Sequence, residues 1–316
     1  MAKDIRTAYG EALLKYGADN RVVALDADVS SSTKSSLFGE KYPERFFNVG
    51  IAEANMTAMA AGFAAAGKIP FVNTFAAFLA SFGMVAACSQ GSYSKLGMKL
   101  MGAYGGLSDS FDGPSHQSVQ DIAVMRTLPD FKVYVPSDEF QVDWLVKNAI
   151  QDAASPMYIR LSREAFPIIY KADTVFESGK GMVLREGGDI TIIACGIMVG
   201  KALEAAAVLQ EQGIDAAVID LFCIKPLDRS LIMEYAHKTG AILTAEEHSV
   251  LGGLGGAVAE TVCTGGMAVP MGFIGLADCH AECGPYGKLL HKYGLDAEAI
   301  VSKANSLLKM KGTGQL

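Results

Sequence analysis

The stretch Phe46–Met56, followed by the uncharged run Thr57–Ala66, constrains the fold of this chain more than any other feature. Its opening residues predict a buried strand, Gly50 predicts a tight turn, and the remainder predicts an apolar helix that protein covers on most sides. Glu53 then lies in the first turn of a core helix. Two interpretations fit this position: a glutamate that caps the helix, and a catalytic acid held in an apolar pocket.

Length and composition exclude several classes of protein. With 316 residues, of which 50% are hydrophobic and 19% charged, the chain has enough apolar material for two folded domains. Its net charge of -7, with no basic cluster, argues against nucleic acid and anionic membranes as partners. No signal peptide or membrane-spanning stretch is recognisable. The six scattered cysteines predict free thiols, so we expect a reducing, cytoplasmic location.

Strands alternate with helices along the whole chain, which predicts an α/β fold made of two doubly wound, mainly parallel sheets. We place a first domain at residues 1–166, a linker at 167–180 and a second domain at 181–316. Within the first domain, Thr74–Cys88 is predicted to be a single apolar helix. A later helix from Asp138 to Ala149 is predicted to take Ser137 as its N-cap.

The string Asp112–Gln117 is the most informative loop, because Gly and Pro fix its backbone and hold Asp112 and His116 four residues apart. A loop histidine after a strand is available for proton transfer or for polarising a carbonyl. The alternative is a turn that caps the next helix, with His116 merely exposed. Phe75 and Phe78 share a helix face, either as core residues or as rings that stack on a flat heterocycle.

Three further candidates follow predicted strands, at the sheet edge where parallel α/β proteins bind ligands. Asp28 and Ser32 come after the first strand. They are either site residues or residues that only form the loop and cap the next helix. Arg163 is suited to an anionic substrate group, or to a salt bridge between domains. The glycines of Gly252–Gly256 predict close helix packing rather than a phosphate loop. We interpret Glu246–His248 as structural or interfacial.

Taken together, these strings resemble the C-terminal half of transketolase over essentially the whole chain. The Gly-Pro-Ser-His-Gln string favours transketolase over its relatives, 1-deoxyxylulose-5-phosphate synthase and the beta subunits of two-oxoacid dehydrogenases. The matching strings stand in the family's order: Ala27–Ser32, Asn48–Met56, Thr74–Phe75 with Phe78, Asp112–Gln117 and Leu161–Arg163.

The resemblance implies a pyrimidine-binding domain for thiamine diphosphate followed by the transketolase C-terminal domain. Glu53 resembles the acid that bonds the pyrimidine N1′ and promotes proton removal from the thiazolium. Phe75 and Phe78 resemble the rings that hold the pyrimidine, and Asp28 a site residue near the thiazolium. A third aromatic residue that is frequent in the family is replaced here by Ser81, so the pyrimidine pocket is altered.

The same resemblance assigns the sugar site. His116 resembles the residue near the donor carbonyl and hydroxyls, and Asp112 a contact to a substrate hydroxyl. Arg163 and Ser32 resemble binders of a terminal phosphate. Many members carry a phosphate-binding histidine where this chain has Tyr104. The resemblance therefore does not decide which anionic group the sugar carries at its end.

The implied function is that of the C-terminal subunit of a split transketolase, which transfers a two-carbon ketol unit from a ketose to an aldose. A deoxyxylulose-synthase-like enzyme and a non-catalytic assembly subunit are the alternatives. The family's Gly-Asp-Gly metal motif is absent from this chain, so we predict no metal ligands here. We expect Mg²⁺ or Ca²⁺ and the cofactor diphosphate to be held mainly by a separate N-terminal subunit, in a dimer of pairs.

Overall fold

A computed structural model describes residues 3–313, which form two sheets of mainly parallel strands flanked by helices. The predicted α/β fold is therefore confirmed. In the described range the strands are β1 (Val22–Asp26), β2 (Phe46–Asn48), β3 (Ile69–Phe75), β4 (Lys99–Ala103), β5 (Lys132–Tyr134), β6 (Met157–Arg160), β7 (Met182–Arg185), β8 (Ile190–Ala194), β9 (Ala216–Asp220), β10 (Cys223–Lys225), β11 (Ile242–Ser249) and β12 (Met271–Leu276).

Helices cover both sheets, and none of them in residues 3–313 combines the length and apolarity needed to cross a membrane. A 3₁₀ turn at Pro43–Arg45 and a π-helix at Ala87–Ser92 add to them. The α-helices of this range are α1 (Ile5–Tyr16), α2 (Ser30–Thr33), α3 (Ser36–Lys41), α4 (Glu53–Ala65), α5 (Ala76–Ser81), α6 (Met84–Ala86), α7 (Asp121–Arg126), α8 (Glu139–Gln151), α9 (Ile197–Glu211), α10 (Arg229–Thr239), α11 (Leu254–Thr264), α12 (Tyr286–Lys292) and α13 (Ala297–Thr313).

The first sheet has the strand order β10-β5-β6-β4-β3-β1-β2. All its pairs are parallel except β10 with β5. β1 is buried along its whole length, because helices cover both faces of the sheet and its apolar residues fill both sides. The parallel pairing brings the carboxyl ends of β1, β2, β3, β4 and β6 to one edge.

The second sheet has the order β12-β11-β8-β9-β7, with β7 antiparallel at one edge. The sequence prediction contains neither β7 nor β10, because both are short edge strands with weak patterns. β10 follows β9 in the chain and yet pairs with β5 of the first sheet. The two halves therefore share a sheet, while the predicted domain limits at 166 and 181 stay predictions.

The segment predicted to be a linker is firmly attached to both halves. The Asp138 carboxylate caps α8 and also accepts hydrogen bonds from the backbone amides of Ile169 and Tyr170 at 3.1 and 2.8 Å. The Tyr170 hydroxyl donates to Asp220 at the end of β9 at 2.7 Å. Phe176 packs its ring against Trp144 at a centroid distance of 5.8 Å. Two buried acids and an aromatic contact thus fix this connection.

Two details of the sequence prediction are wrong. The apolar run Thr74–Cys88 is not one helix: Thr74 and Phe75 stay in β3, paired with β4, and the helix breaks at Gly83, which lies against the Thr57 hydroxyl. A short apolar run does not distinguish a buried strand from a buried helix. The N-cap of α8 is Asp138 rather than Ser137, because the extended Asp138 accepts hydrogen bonds from two amides of the first turn.

Asp220 makes stability depend on pH. Burial raises its pKa from 3.8 to about 7, although hydrogen bonds from Tyr170 and Gln141 oppose the shift. Between these two pH values the folded chain keeps a proton that the unfolded chain has released. The contribution to stability is therefore complete below about pH 4 and is lost as the pH rises through about 7.

We predict that Asp220→Asn, which keeps both hydrogen bonds but does not titrate, removes this dependence. From pH 5 to pH 8, the free energy of unfolding of the wild type should fall by about 2 kcal/mol relative to the variant. Denaturant titrations at both pH values measure the difference. Asp173→Asn, at an exposed carboxylate, is the control and should follow the wild type. Parallel profiles for Asp220→Asn and the wild type would contradict the assignment.

Candidate active site

Glu53 begins α4 at the ligand-binding edge of the first sheet. Gly50, with a φ of 73°, makes the turn that separates β2 from this helix, as the sequence predicts. The Glu53 side chain is buried, and its Oε1 accepts a hydrogen bond from the Thr74 hydroxyl at 3.2 Å. Among residues 3–313, no helix amide donates to this carboxylate. Its carboxylate bonds to β3 instead of capping its own helix.

Phe75 directly follows Thr74, which bonds to this acid, and both Phe75 and Phe78 are only half-buried. Phe75 is the last residue of β3 and Phe78 lies in α5, so they do not share a helix face as predicted, yet their ring centroids are 5.7 Å apart. The half-buried His116 packs edge-on against Phe78 at 5.2 Å and lies 6.1 Å from Phe75. Its Nδ1 is 2.9 Å from the Ser115 hydroxyl. These three rings form one aromatic wall.

The loop after β1 is fixed by Asp26, a buried acid that the sequence reading did not single out. Its carboxylate accepts hydrogen bonds from the Val29 amide at 2.7 Å and from the hydroxyls of Thr33 and Ser35 at 2.9 and 2.8 Å. Burial raises the pKa of Asp26, against these hydrogen bonds. The loop thereby presents the exposed Asp28, which has a positive φ of 66°.

Two arginines flank Tyr104, which follows β4. The guanidinium carbons of Arg6 and Arg163 lie 5.1 and 5.3 Å from its ring centroid. Arg6 donates from Nη1 to the Tyr104 hydroxyl at 2.5 Å and to the Ser32 carbonyl at 3.1 Å. Tyr104 also packs on Phe75, with centroids 4.5 Å apart. The predicted residues Ser32 and Arg163 therefore lie at one cationic corner, with Arg6 between them.

Sequence reasoning missed Arg6 because it lies in the first turn of α1, about a hundred residues from Tyr104 in the chain. It also missed Asp109, a buried acid whose Oδ1 is 3.4 Å from Nη1 of Arg163. The Arg163 ion pair thus stays inside the first sheet's half of the chain and does not link the two halves. Burial and, next to it, the neighbouring carboxylate of the exposed Asp112 together raise the pKa of Asp109 to about 6.

The described residues contain no group of three or more His, Cys, Asp or Glu side chains that could hold a metal ion. All six cysteines are free thiols, and Cys279 and Cys283, which have a spacing seen in metal sites, are exposed.

The assembled site consists of one buried acid, an aromatic wall, an acidic pair and a cationic corner.

Comparison with known families shows which family the chain belongs to. Residues 1–168 match the transketolase pyrimidine-binding domain, and residues 179–300 match the transketolase C-terminal domain. The chain belongs to the transketolase family. The resemblance in the sequence strings is thereby confirmed, and membership implies binding of thiamine diphosphate.

Three relatives show which part of a transketolase this chain resembles. It is 38% identical to the putative transketolase C-terminal section of Methanocaldococcus jannaschii, with 97% of each chain covered. It is 40% identical to the 6-deoxy-6-sulfo-D-fructose transketolase subunit SqwH of a Clostridium species, over 97% of this chain and 95% of that protein. A solved structure described as the inactive β4 tetramer of a split-gene transketolase is 44% identical, with a TM-score of 0.89 over 98% of this chain and 100% of that one.

Proposed function

We propose that this chain is the C-terminal subunit of a split, thiamine diphosphate-dependent transketolase. It transfers a two-carbon ketol unit from a ketose to an aldose, together with a separate N-terminal subunit. The observation that carries this proposal is the buried Glu53, bonded to Thr74, which directly precedes Phe75 of the half-buried pair Phe75 and Phe78. A subunit that served only assembly would leave this acid and these half-buried rings without a purpose.

The residues at the sheet edge suit the pyrimidine ring of the cofactor. Phe75 and Phe78 offer apolar ring faces that are open enough to take a flat heterocycle. Glu53 would form a hydrogen bond to a ring nitrogen of the pyrimidine. Because Glu53 is buried, this hydrogen bond would be stronger than it is in water. Asp28, bonded to Asn48 at 2.8 Å, would lie toward the thiazolium. Bound thiamine diphosphate supplies the reactive carbon that carries the two-carbon unit between sugars.

The sugar donor and acceptor would meet His116 and Asp112. His116 lies against both phenylalanine rings, so it would contact the carbonyl or hydroxyl of a sugar held next to the pyrimidine. Asp112 is exposed on the same loop and accepts hydrogen bonds, which suits a sugar hydroxyl. Asp109, beside it and buried, would keep both Asp112 and Arg163 oriented.

The far end of the sugar would be anionic. Arg6 and Arg163 approach Tyr104 from two directions, and planar guanidinium groups bind phosphate or sulfonate oxygens well. Ser32 lies at the same corner. One relative at 40% identity is named for a sulfonated ketose, a sugar with an anionic end. Because Tyr104 fills part of this corner, the anion would lie against its ring edge and the two arginines.

The partner would complete the site from outside. Three large apolar side chains near Glu53 are exposed in the single chain, namely Ile51 (83%), Phe82 (60%) and Val85 (77%). Exposed apolar groups next to a site are typical of protein interfaces. The N-terminal subunit would cover them and would hold the diphosphate and its Mg²⁺, and two such pairs would associate. Relatives named as a C-terminal section and a transketolase subunit support this arrangement.

We predict that Glu53→Gln slows exchange of the cofactor C2 proton by about 10² to 10⁴ in the complex with the partner subunit, because a positioned acid is lost. Hydrogen–deuterium exchange of the bound cofactor measures the rate, and calorimetry confirms that the cofactor still binds. Glu44→Gln, at an exposed glutamate, is the control. Exchange at the wild-type rate in Glu53→Gln would remove Glu53 from the mechanism.

Arg163→Ala should raise KM for sugars with an anionic end roughly 10- to 150-fold, because a charge-assisted hydrogen bond is lost. KM for neutral sugars should change little. Steady-state kinetics on matched anionic and neutral donors separates the two cases. Arg21→Ala removes an exposed ion pair with Asp19 and should leave both KM values unchanged. An equal rise for both donor classes would make Arg163 a structural residue.

A further inference from the structure

The segment 104–118, here called the substrate loop, carries Asp109, Asp112 and His116. It leaves β4 at Tyr104 and closes on itself at its base, where the Gly106 amide donates to the Ser118 carbonyl at 2.8 Å. Further hydrogen bonds within the loop join the amides of His116 and Gln117 to the Gly113 carbonyl, at 2.9 and 3.1 Å, and other parts of the molecule hold its ends. All three candidate side chains depend on where this loop lies.

Glu247, on β11 of the second sheet, contacts the base of the substrate loop. Its side chain is buried, and Oε1 accepts a hydrogen bond from the Leu107 amide at 2.7 Å. The same oxygen accepts one from the Tyr286 hydroxyl at 3.0 Å. A single carboxylate oxygen therefore joins the substrate loop to β11 and α12 of the second half.

The loop backbone approaches this carboxylate so closely that only glycine fits. Gly106 has a φ of 70°, and a Cβ there would lie 2.3 Å from Cδ of Glu247. Arg160 adds a second link: its Nη2 donates to the carbonyls of Ser118 and Glu247, at 2.9 and 2.7 Å. The fit at the base leaves no room for the loop to shift toward β11.

The second half also holds the loop at two further points, Ser110 and Gln117. The Gln117 side-chain amide donates to the Glu282 carbonyl at 3.1 Å, and the Gly284 amide donates to the Ser110 carbonyl at 2.9 Å. Burial raises the pKa of Glu247 to about 7, against the opposing effect of Arg160. Burying a carboxyl group costs free energy, and an apolar side chain would pack at this position without that cost.

We propose that Glu247 is a positioning residue for sugar binding, through which the second half of the chain sets the place of the substrate loop. This inference rests on the proposed transketolase function. Glu247 bonds to the loop but not to Glu53, Phe75 or Phe78. The sugar-contacting residues of the loop therefore depend on it directly, whereas Glu53, which would promote proton removal from the cofactor, is held by Thr74 of β3.

The test uses the complex with the N-terminal subunit, thiamine diphosphate and Mg²⁺. In Glu247→Ala, the KM for the ketose donor should rise about 10- to 100-fold, because small displacements of binding groups are costly. Exchange of the cofactor C2 proton in the same sample should stay within about twofold of the wild type. Glu247→Gln keeps an oxygen that can accept from Leu107, so it should restore a KM near the wild-type value.

A second variant and a second readout keep the test independent of any one mutant. Gly106→Ala drives a methyl group into Glu247 and should give the same separation of KM from proton exchange. Amide hydrogen exchange across residues 104–118 should speed up in Glu247→Ala and not in Glu247→Gln.

Equal losses in KM and cofactor proton exchange, or unchanged amide protection of the loop, would overturn the positioning role. If the wild-type complex transfers no ketol unit, the transketolase proposal fails. Amide exchange in the variants then still shows whether Glu247 holds the loop.

Discussion

Parallel pairing within the first sheet is the constraint on which the site depends. β1, β3, β4 and β6 are adjacent and run in the same direction, so their carboxyl ends meet at one edge. Thr74, at the end of β3, bonds to Glu53, which begins the helix after β2. The sheet thus brings together residues that belong to separate segments of the sequence. A change that shifted the register of β3 would move both Thr74 and Phe75.

The second half of the chain holds several parts of the first half in place. β10 extends the first sheet, and the predicted linker is bonded to acids of both halves. Glu247 and the backbone at Glu282 and Gly284 hold the substrate loop. The two halves therefore form one packed unit, in which the fold of the second half decides the geometry of the first.

Much of this arrangement is readable from the sequence. The alternation of apolar strands and helices predicts the α/β fold, and the strand–glycine–helix string around Gly50 places Glu53 correctly at the start of α4. These are local signals, because hydrophobic period and turn residues decide them. An apolar run has no period that separates strand from helix, so the sequence predicts a helix at Phe75, which in fact ends β3. The predicted pairing of Phe75 with Phe78 is correct, since either geometry brings the two rings together.

The residues that were missed have their partners far away in the chain. Arg6 meets Tyr104 and Asp109 meets Arg163, and each pair is created only by the tertiary fold. Nothing in the local sequence distinguishes these side chains from ordinary surface charges. A buried acid such as Asp26 becomes visible only when its hydrogen bonds are seen. The interpretation of Glu246–His248 as structural or interfacial agrees with the bond from Leu107 to Glu247.

The central claim is that this chain holds the pyrimidine end of a cofactor site that a second subunit completes. Calorimetric titration with thiamine diphosphate and Mg²⁺ tests it most directly, on this chain, on the N-terminal subunit and on their mixture, with ketol transfer assayed in the same samples. We predict tight, Mg²⁺-dependent binding and ketol transfer only in the mixture. Tight binding and full ketol transfer by this chain alone would contradict it.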